Sequence, residues 1–170
     1  MKRRVFLLTI VALLAALFPA VAQARMGTRL VAGQNQIVGW VFVDNDGENL
    51  TVTYETRYGL GFCLKETNLH VATSLDGIPQ NNGNPTPGHF DYKGEHDCVR
   101  EVVYTIPLGD WEPGTELFIA AHAVVGSWHD PYYEETGWGT VCGNIDNNPF
   151  PGSNWANYIP YTVKPLDPQT

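Results

Sequence analysis

The chain of 170 residues carries 18 acidic against 10 basic side chains, a formal net charge of −8. No cluster of Lys or Arg follows residue 25 to override the repulsion between such a surface and a phosphate backbone, which excludes nucleic acid as a partner class. Seventeen glycines and twelve prolines interrupt a chain without helical periodicity of useful length, so a helical domain is excluded as well.

Lys2, Arg3 and Arg4 precede an apolar run over 5–21 that ends at Ala22-Gln23-Ala24, the basic, apolar, small-residue order of a secretory signal. The reading is therefore a signal peptide at 1–24 and one secreted domain at 25–170. The leader holds three of the basic residues and none of the acidic ones, which leaves 7 − 18 = −11 on the remainder. An uncleaved anchor is the competing reading, because the run nearly spans a bilayer. Pro19 and the Ala-rich exit favour cleavage, after which no stable membrane insertion is expected. The product is then extracellular, or periplasmic where the host has an outer membrane.

A short strand is expected near Leu30. Residues 37–44 and 50–58 flank Asp44-Asn45-Asp46-Gly47, which carries an Asp-Gly hairpin signal, and these two strands should pair antiparallel. Leu50, Val52, Tyr54, Thr56 and Tyr58 alternate with Thr51, Thr53, Glu55 and Arg57, the period of a strand with one buried face. Further strands are predicted at 62–71, 99–106, 116–125 and 156–163, rich in β-branched and aromatic residues. Both faces of 116–125 are apolar, and Pro160 marks the last strand as an edge or a bulge. The fold expected is all-β, an antiparallel β-sandwich of about six to eight strands with two long loops, 72–98 and 126–154. Loops of that length are often functional, and if both emerge at one end they form the binding face.

Cys63, Cys98 and Cys142 are an odd set, so one bridge and one leftover thiol is the simplest arithmetic. Cys63 sits in an apolar strand pattern whereas Cys98 and Cys142 border loops, which favours a Cys98–Cys142 disulfide. Asn49-Leu50-Thr51 is a glycosylation sequon wherever the host has that machinery.

Leu30-Val31-Ala32-Gly33-Gln34, Glu66-Thr67-Asn68-Leu69-His70-Val71, Ile119-Ala120-Ala121-His122-Ala123-Val124-Val125, Glu135-Thr136-Gly137-Trp138-Gly139 and Phe150-Pro151-Gly152-Ser153-Asn154-Trp155-Ala156 resemble, in that order, segments of a secreted module of bacterial and archaeal surface or extracellular proteins. The resemblance implies export and a β-rich module, with no established reaction. Such modules often have His where this chain has Asn68, a departure that weakens transfer of a metal site.

Two constellations suggest chemistry. Flat rings beside Asn, Asp and Glu stack on sugar faces while polar groups bond the hydroxyls, which makes Trp128, Tyr132, Tyr133 and Trp138 in the 126–155 stretch candidates for carbohydrate or another cell-surface component. The same rings could instead fold back as a satellite core. Separately, Phe62, Leu64, Glu66, Asn68 and His70 share one strand face by alternation, and His122 lies among alanines in the most apolar strand. A buried imidazole needs hydrogen-bond partners or a metal. The favoured reading is a polar network fixing strand register, and the alternative is a divalent-metal protein or metal-dependent enzyme using Glu66, His70, His122 and Glu135. Loop histidines His89, His96 and His129 near Asp91, Asp97 and Asp130 read as solvated polarity rather than a zinc or copper site. Asp44, Asp46 and Glu48 open like a calcium loop but lack its downstream Glu. No nucleophile elbow, HExxH, P-loop or dinucleotide fingerprint is present. The sequence therefore reads as a binding or structural module requiring no cofactor.

Overall fold

The computed structural model describes residues 26–57, 59–141 and 149–165. The chain forms β1 (Met26–Ala32), β2 (Gln36–Asn45), β3 (Asn49–Thr56), β4 (Phe62–Ala72), a small hairpin of β5 (Gln80–Asn81) and β6 (Asn84–Pro85), β7 (Tyr92–Val99), β8 (Glu101–Pro107), β9 (Glu116–Ser127), β10 (Glu134–Thr140) and β11 (Ile159–Thr162). The fold is all-β. Among the described residues no helix is long and apolar enough to cross a membrane.

All strands but β5 and β6 belong to one antiparallel sheet, ordered β7-β4-β9-β10-β1-β2-β3-β8, with β11 added to β9. The sheet curls until its ends meet, because β7 and β8 are consecutive and joined by Arg100 alone, yet β7 pairs with β4 and β8 with β3. At that corner the Arg100 carbonyl accepts the Thr56 N–H at 2.9 Å and the Thr56 hydroxyl at 3.4 Å. Beyond it β7 and β8 diverge, and the result is a flattened, nearly closed barrel with the interior of a sandwich. Leu30, Val41, Val43, Leu50, Val52, Tyr54 and Ile106 meet Leu64, Leu69, Leu117, Ile119, Ala121, Ala123 and Val125 in that core.

Side chains close the seam where backbone pairing stops. The Thr67 hydroxyl lies 2.7 Å from the Tyr104 hydroxyl and 2.8 Å from His96 Nε2, while Tyr54, fully buried, donates to the Asn68 carbonyl at 3.0 Å. Thr67 thus ties β4 to both diverging strands. Thr67→Val keeps the shape and deletes the hydroxyl, which should lower unfolding free energy by about 1–2 kcal/mol in urea titrations. An unchanged midpoint would mean that the seam is held by apolar contacts alone.

The β2–β3 hairpin forms as expected. Asp46 Oδ1 accepts the N–H groups of Asn49 and Glu48 at 2.7 and 2.9 Å, and these bonds hold its carboxyl below the usual value. The strand near Leu30 is β1, and β11 with Pro160 pairs with β9 alone, as an edge strand should.

Two strands of the main sheet, and the small β5–β6 hairpin, fall where long loops were expected. β7 carries Lys93, Glu95 and Asp97 on its exposed positions, the charge pattern that protects an edge but hides a strand from a hydrophobicity reading. β10 contains Gly137 and Gly139, poor strand formers in isolation. Gly139 permits a close approach, because a Cβ there would come within 2.8 Å of Ile159 Cδ1 and 3.1 Å of Ala121 Cβ and those side chains would have to shift.

The disulfide also differs from expectation. Cys98 pairs with Cys63, not Cys142, because β4 and β7 run antiparallel and bring positions 63 and 98 to a Cα separation of 5.0 Å. Burial of Cys63 in a strand was compatible with a bridge to the neighbouring strand. Cys142 lies outside the described residues.

Candidate functional site

A β-bulge at Lys65 decides which face of β4 does what. The register against both β7 and β9 shifts between Leu64 and Glu66, so strict alternation through Phe62, Leu64, Glu66, Asn68 and His70 is broken. Leu64, Leu69 and Val71 join the main core, whereas Asn68 lies opposite His122 on the other face of the sheet.

On that face Asn68 Nδ2 donates to Glu66 Oε1 at 2.8 Å and to His122 Nδ1 at 3.2 Å. His122 is buried and meets Trp138 edge-on with centroids 4.9 Å apart. Burial drives its pKa down to about 4, against an upward pull from the Glu66 carboxylate. An imidazole that accepts at Nδ1 and stays neutral is a structural partner, and the polar network expected from sequence is present here. His70 turns elsewhere. Its Nε2–H donates to the Gly77 carbonyl at 3.1 Å, and its Nδ1 sits 3.4 Å from Asp91 Oδ2 without hydrogen-bond geometry. Glu135 is exposed, with its carboxylate beside Gly33. Glu66, His70, His122 and Glu135 therefore do not converge, and among the described residues no group of three or more His, Cys, Asp or Glu side chains is placed to hold a metal ion.

The four candidate aromatic residues also divide. Trp138 is buried in a second apolar cluster with Ile78, Phe90, Ala120, Phe150 and Ala156, under segments 73–91 and 149–158 on the outer face of β9 and β10. It is core. Trp128, Tyr132 and Tyr133 stand in the β9–β10 turn at the other end of β9, so they lie apart from the place where the two long stretches do meet, at Gly152 N–H to the Gly83 carbonyl and Asn154 N–H to Asn84 Oδ1, each 2.9 Å.

That turn is firmly built. Ser127 Oγ accepts the N–H groups of His129 and Asp130 at 3.1 and 3.3 Å, and Asp130 Oδ1 accepts the Tyr132 N–H at 2.9 Å. Trp128 is anchored to the β3–β4 turn, its backbone N–H donating to the Gly61 carbonyl at 2.8 Å and its indole N–H to the Phe62 carbonyl at 3.2 Å. Gly61 has φ +77°, and a Cβ there would collide with the His129 ring, so glycine at 61 lets the two turns lie against each other. The Arg100 guanidinium sits 5.9 Å from the centre of the Trp128 ring, within cation–π range. Tyr133 is half-buried against Phe62 and donates to Gln36 Oε1 at 2.9 Å. Burial and the Glu135 charge raise its pKa.

Large apolar side chains left in solvent mark this end of the molecule. Among the described residues they are Leu60 (43% exposed), Val103 (50%), Trp128 (49%) and Tyr132 (94%). Leu60, Trp128 and Tyr132 belong to the two turns joined at Gly61, and only Val103 lies apart, on β8. Leu60 and Arg100 were missed in the sequence. The only signal for Leu60 is an apolar residue between two glycines, Gly59 and Gly61, and for Arg100 a lone base between two strand patterns.

No protein-family model matches the chain, and no curated protein matches it. Among solved structures the chain is similar to a "putative carbohydrate binding protein" from Bacteroides uniformis, at 11% identity and a TM-score of 0.39 over 79% of this chain, which spans 57% of that one.

Proposed function

We propose that the protein is an exported binding module that holds carbohydrate at the end formed by the β3–β4 and β9–β10 turns. The observation that carries this reading is the grouping of Leu60, Trp128 and Tyr132 in solvent on turns whose backbones are pinned by hydrogen bonds. Exposed apolar groups placed together on a rigid support mark a contact surface. Rings of this kind stack on the apolar faces of pyranoses, and the exposed amides of Gln34 and Asn35 in the neighbouring β1–β2 turn suit hydroxyl groups. A Cys63–Cys98 bridge accords with an oxidising compartment.

A glycan survey followed by titration of the best ligand tests the reading. Tyr132→Ala and Trp128→Ala should each weaken binding about tenfold, the order expected for loss of one stacked ring. Val103→Ala, exposed but remote, should change nothing. Retained affinity in both ring variants would move the site elsewhere.

A further inference from the structure

We infer that the free edge of β8 is a strand-pairing surface whose partner is a second copy of this chain, joined antiparallel about a two-fold axis at Val103. β8 ends the sheet order, and its ladder partner is β3. The Thr56 N–H donates to the Arg100 carbonyl and the Leu108 N–H to the Glu48 carbonyl, both at 2.9 Å, which fixes the phase of that ladder. In this phase Val102, Tyr104 and Ile106 bond to β3, while Glu101, Val103 and Thr105 turn their N–H and C=O groups the other way. Among the described residues nothing bonds to those groups. The edge is open because β7 lies across the interior from β8 and not beside it. Tyr104, directed inward, meets Tyr92 of β7 with ring centroids 6.1 Å apart and reaches Thr67 of β4.

Other edges carry devices against such pairing. β7 sets Lys93, Glu95 and Asp97 on its exposed positions, and β11 contains Pro160. β8 has Glu101 at its start and Pro107 at its end, but between them stand Val103, 50% exposed, and Thr105. That bare centre matches its own copy. With the axis at Val103, Val103 faces its symmetry mate and Glu101 faces Thr105 of the second copy, so each free residue exchanges both main-chain bonds and no carboxylate meets another. Sliding the pair towards Pro107 would set Glu101 against a residue without an N–H. The side chains agree with the backbone. Val103, Thr53 and Phe42 stand in one row across β8, β3 and β2, and the axis continues this row into that of the second copy. Each chain carries a net charge of −8, so repulsion opposes the pairing at low ionic strength and salt relieves it.

Sedimentation velocity at rising protein concentration tests the inference. Dimers should form, and added salt should strengthen them. Thr105→Pro removes an N–H that β3 does not use, and Val103→Lys sets like charges together at the axis. Each should weaken dimerisation about tenfold or more, with near-UV circular dichroism unchanged. Val103→Thr keeps the branched shape and the N–H and should still dimerise. Hydrogen exchange on the wild-type protein gives a readout that needs no substitution, since the amides of 103 and 105 should gain protection as concentration rises whereas those of 102 and 104 are protected throughout. A protein that stays monomeric at every concentration and salt level overturns the inference, as do dimers that leave the amides of 103 and 105 unprotected. If Val103→Lys abolishes dimers while Thr105→Pro leaves them intact, the contact is apolar association without strand pairing, and the inference fails.

Discussion

Removing the Cys63–Cys98 bridge should lower the unfolding free energy by about 3–4 kcal/mol, the chain-entropy value for a loop of this length. The cysteines are 35 residues apart in sequence and join the start of β4 to the end of β7. Position 98 has φ +52°, a conformation that a free non-glycine residue seldom adopts, so the bridge also holds the turn into Arg100. Cys63 follows Phe62, whose carbonyl fixes the Trp128 indole, and position 98 lies two residues before Arg100. Urea unfolding of a Cys63→Ala, Cys98→Ala double variant measures the loss, and ligand titration should show weakened binding, because the start of β4, whose Phe62 carbonyl holds the Trp128 indole, loses its covalent tie to β7. Cys142→Ala should leave the bridge intact. Peptide mapping that found Cys98 linked to Cys142, or a double variant as stable as wild type, would refute this assignment.

The fold was legible where local chemistry and tertiary context agree. The β2–β3 hairpin combines clear alternation with an acidic turn whose Asp46 bonds the turn's own backbone, so its signals are local ones. β7 and β10 were not legible, since edge charge in one and close approach at Gly139 in the other belong to the assembled sheet. The bulge at Lys65 had a similar effect on the site. One extra residue, invisible to a period-two reading, separates the apolar start of β4 from Glu66, Asn68 and His70 and puts them on opposite faces. Trp138 and Tyr132 are both aromatic residues near Gly and Glu in one stretch, yet one is core and the other 94% exposed. Only the cover provided by Phe90 and Phe150 distinguishes them, and those residues come from distant parts of the chain.

His122 should make stability strongly pH-dependent. The unfolded chain takes up the imidazole proton near 6.5, whereas the folded ring does so only at about 4. Between those values the unfolded state binds more protons, so unfolding free energy rises with pH there. This contribution is fully present above about pH 6.5 and is lost as pH falls towards about 4, a change of roughly 3 kcal/mol. The local cause is visible in the bonds. Nδ1 accepts from Asn68 Nδ2, and a proton on Nδ1 would set two donors against each other in a buried site. Turning the Asn68 amide to compensate would break its bond to Glu66. His122→Gln removes the titration and leaves the neighbours with an imperfect partner, at a cost of about 1–3 kcal/mol near pH 7. The variant should therefore be less stable than wild type at neutral pH, with the gap closing as pH falls through the window. Subtracting the two urea-derived profiles cancels the carboxylates that titrate in both proteins. Parallel profiles from pH 7 to pH 4.5 would show that His122 is not the group responsible. If chelator lowered the wild-type midpoint to that of His122→Gln, the ring would be a metal ligand instead of a member of this network.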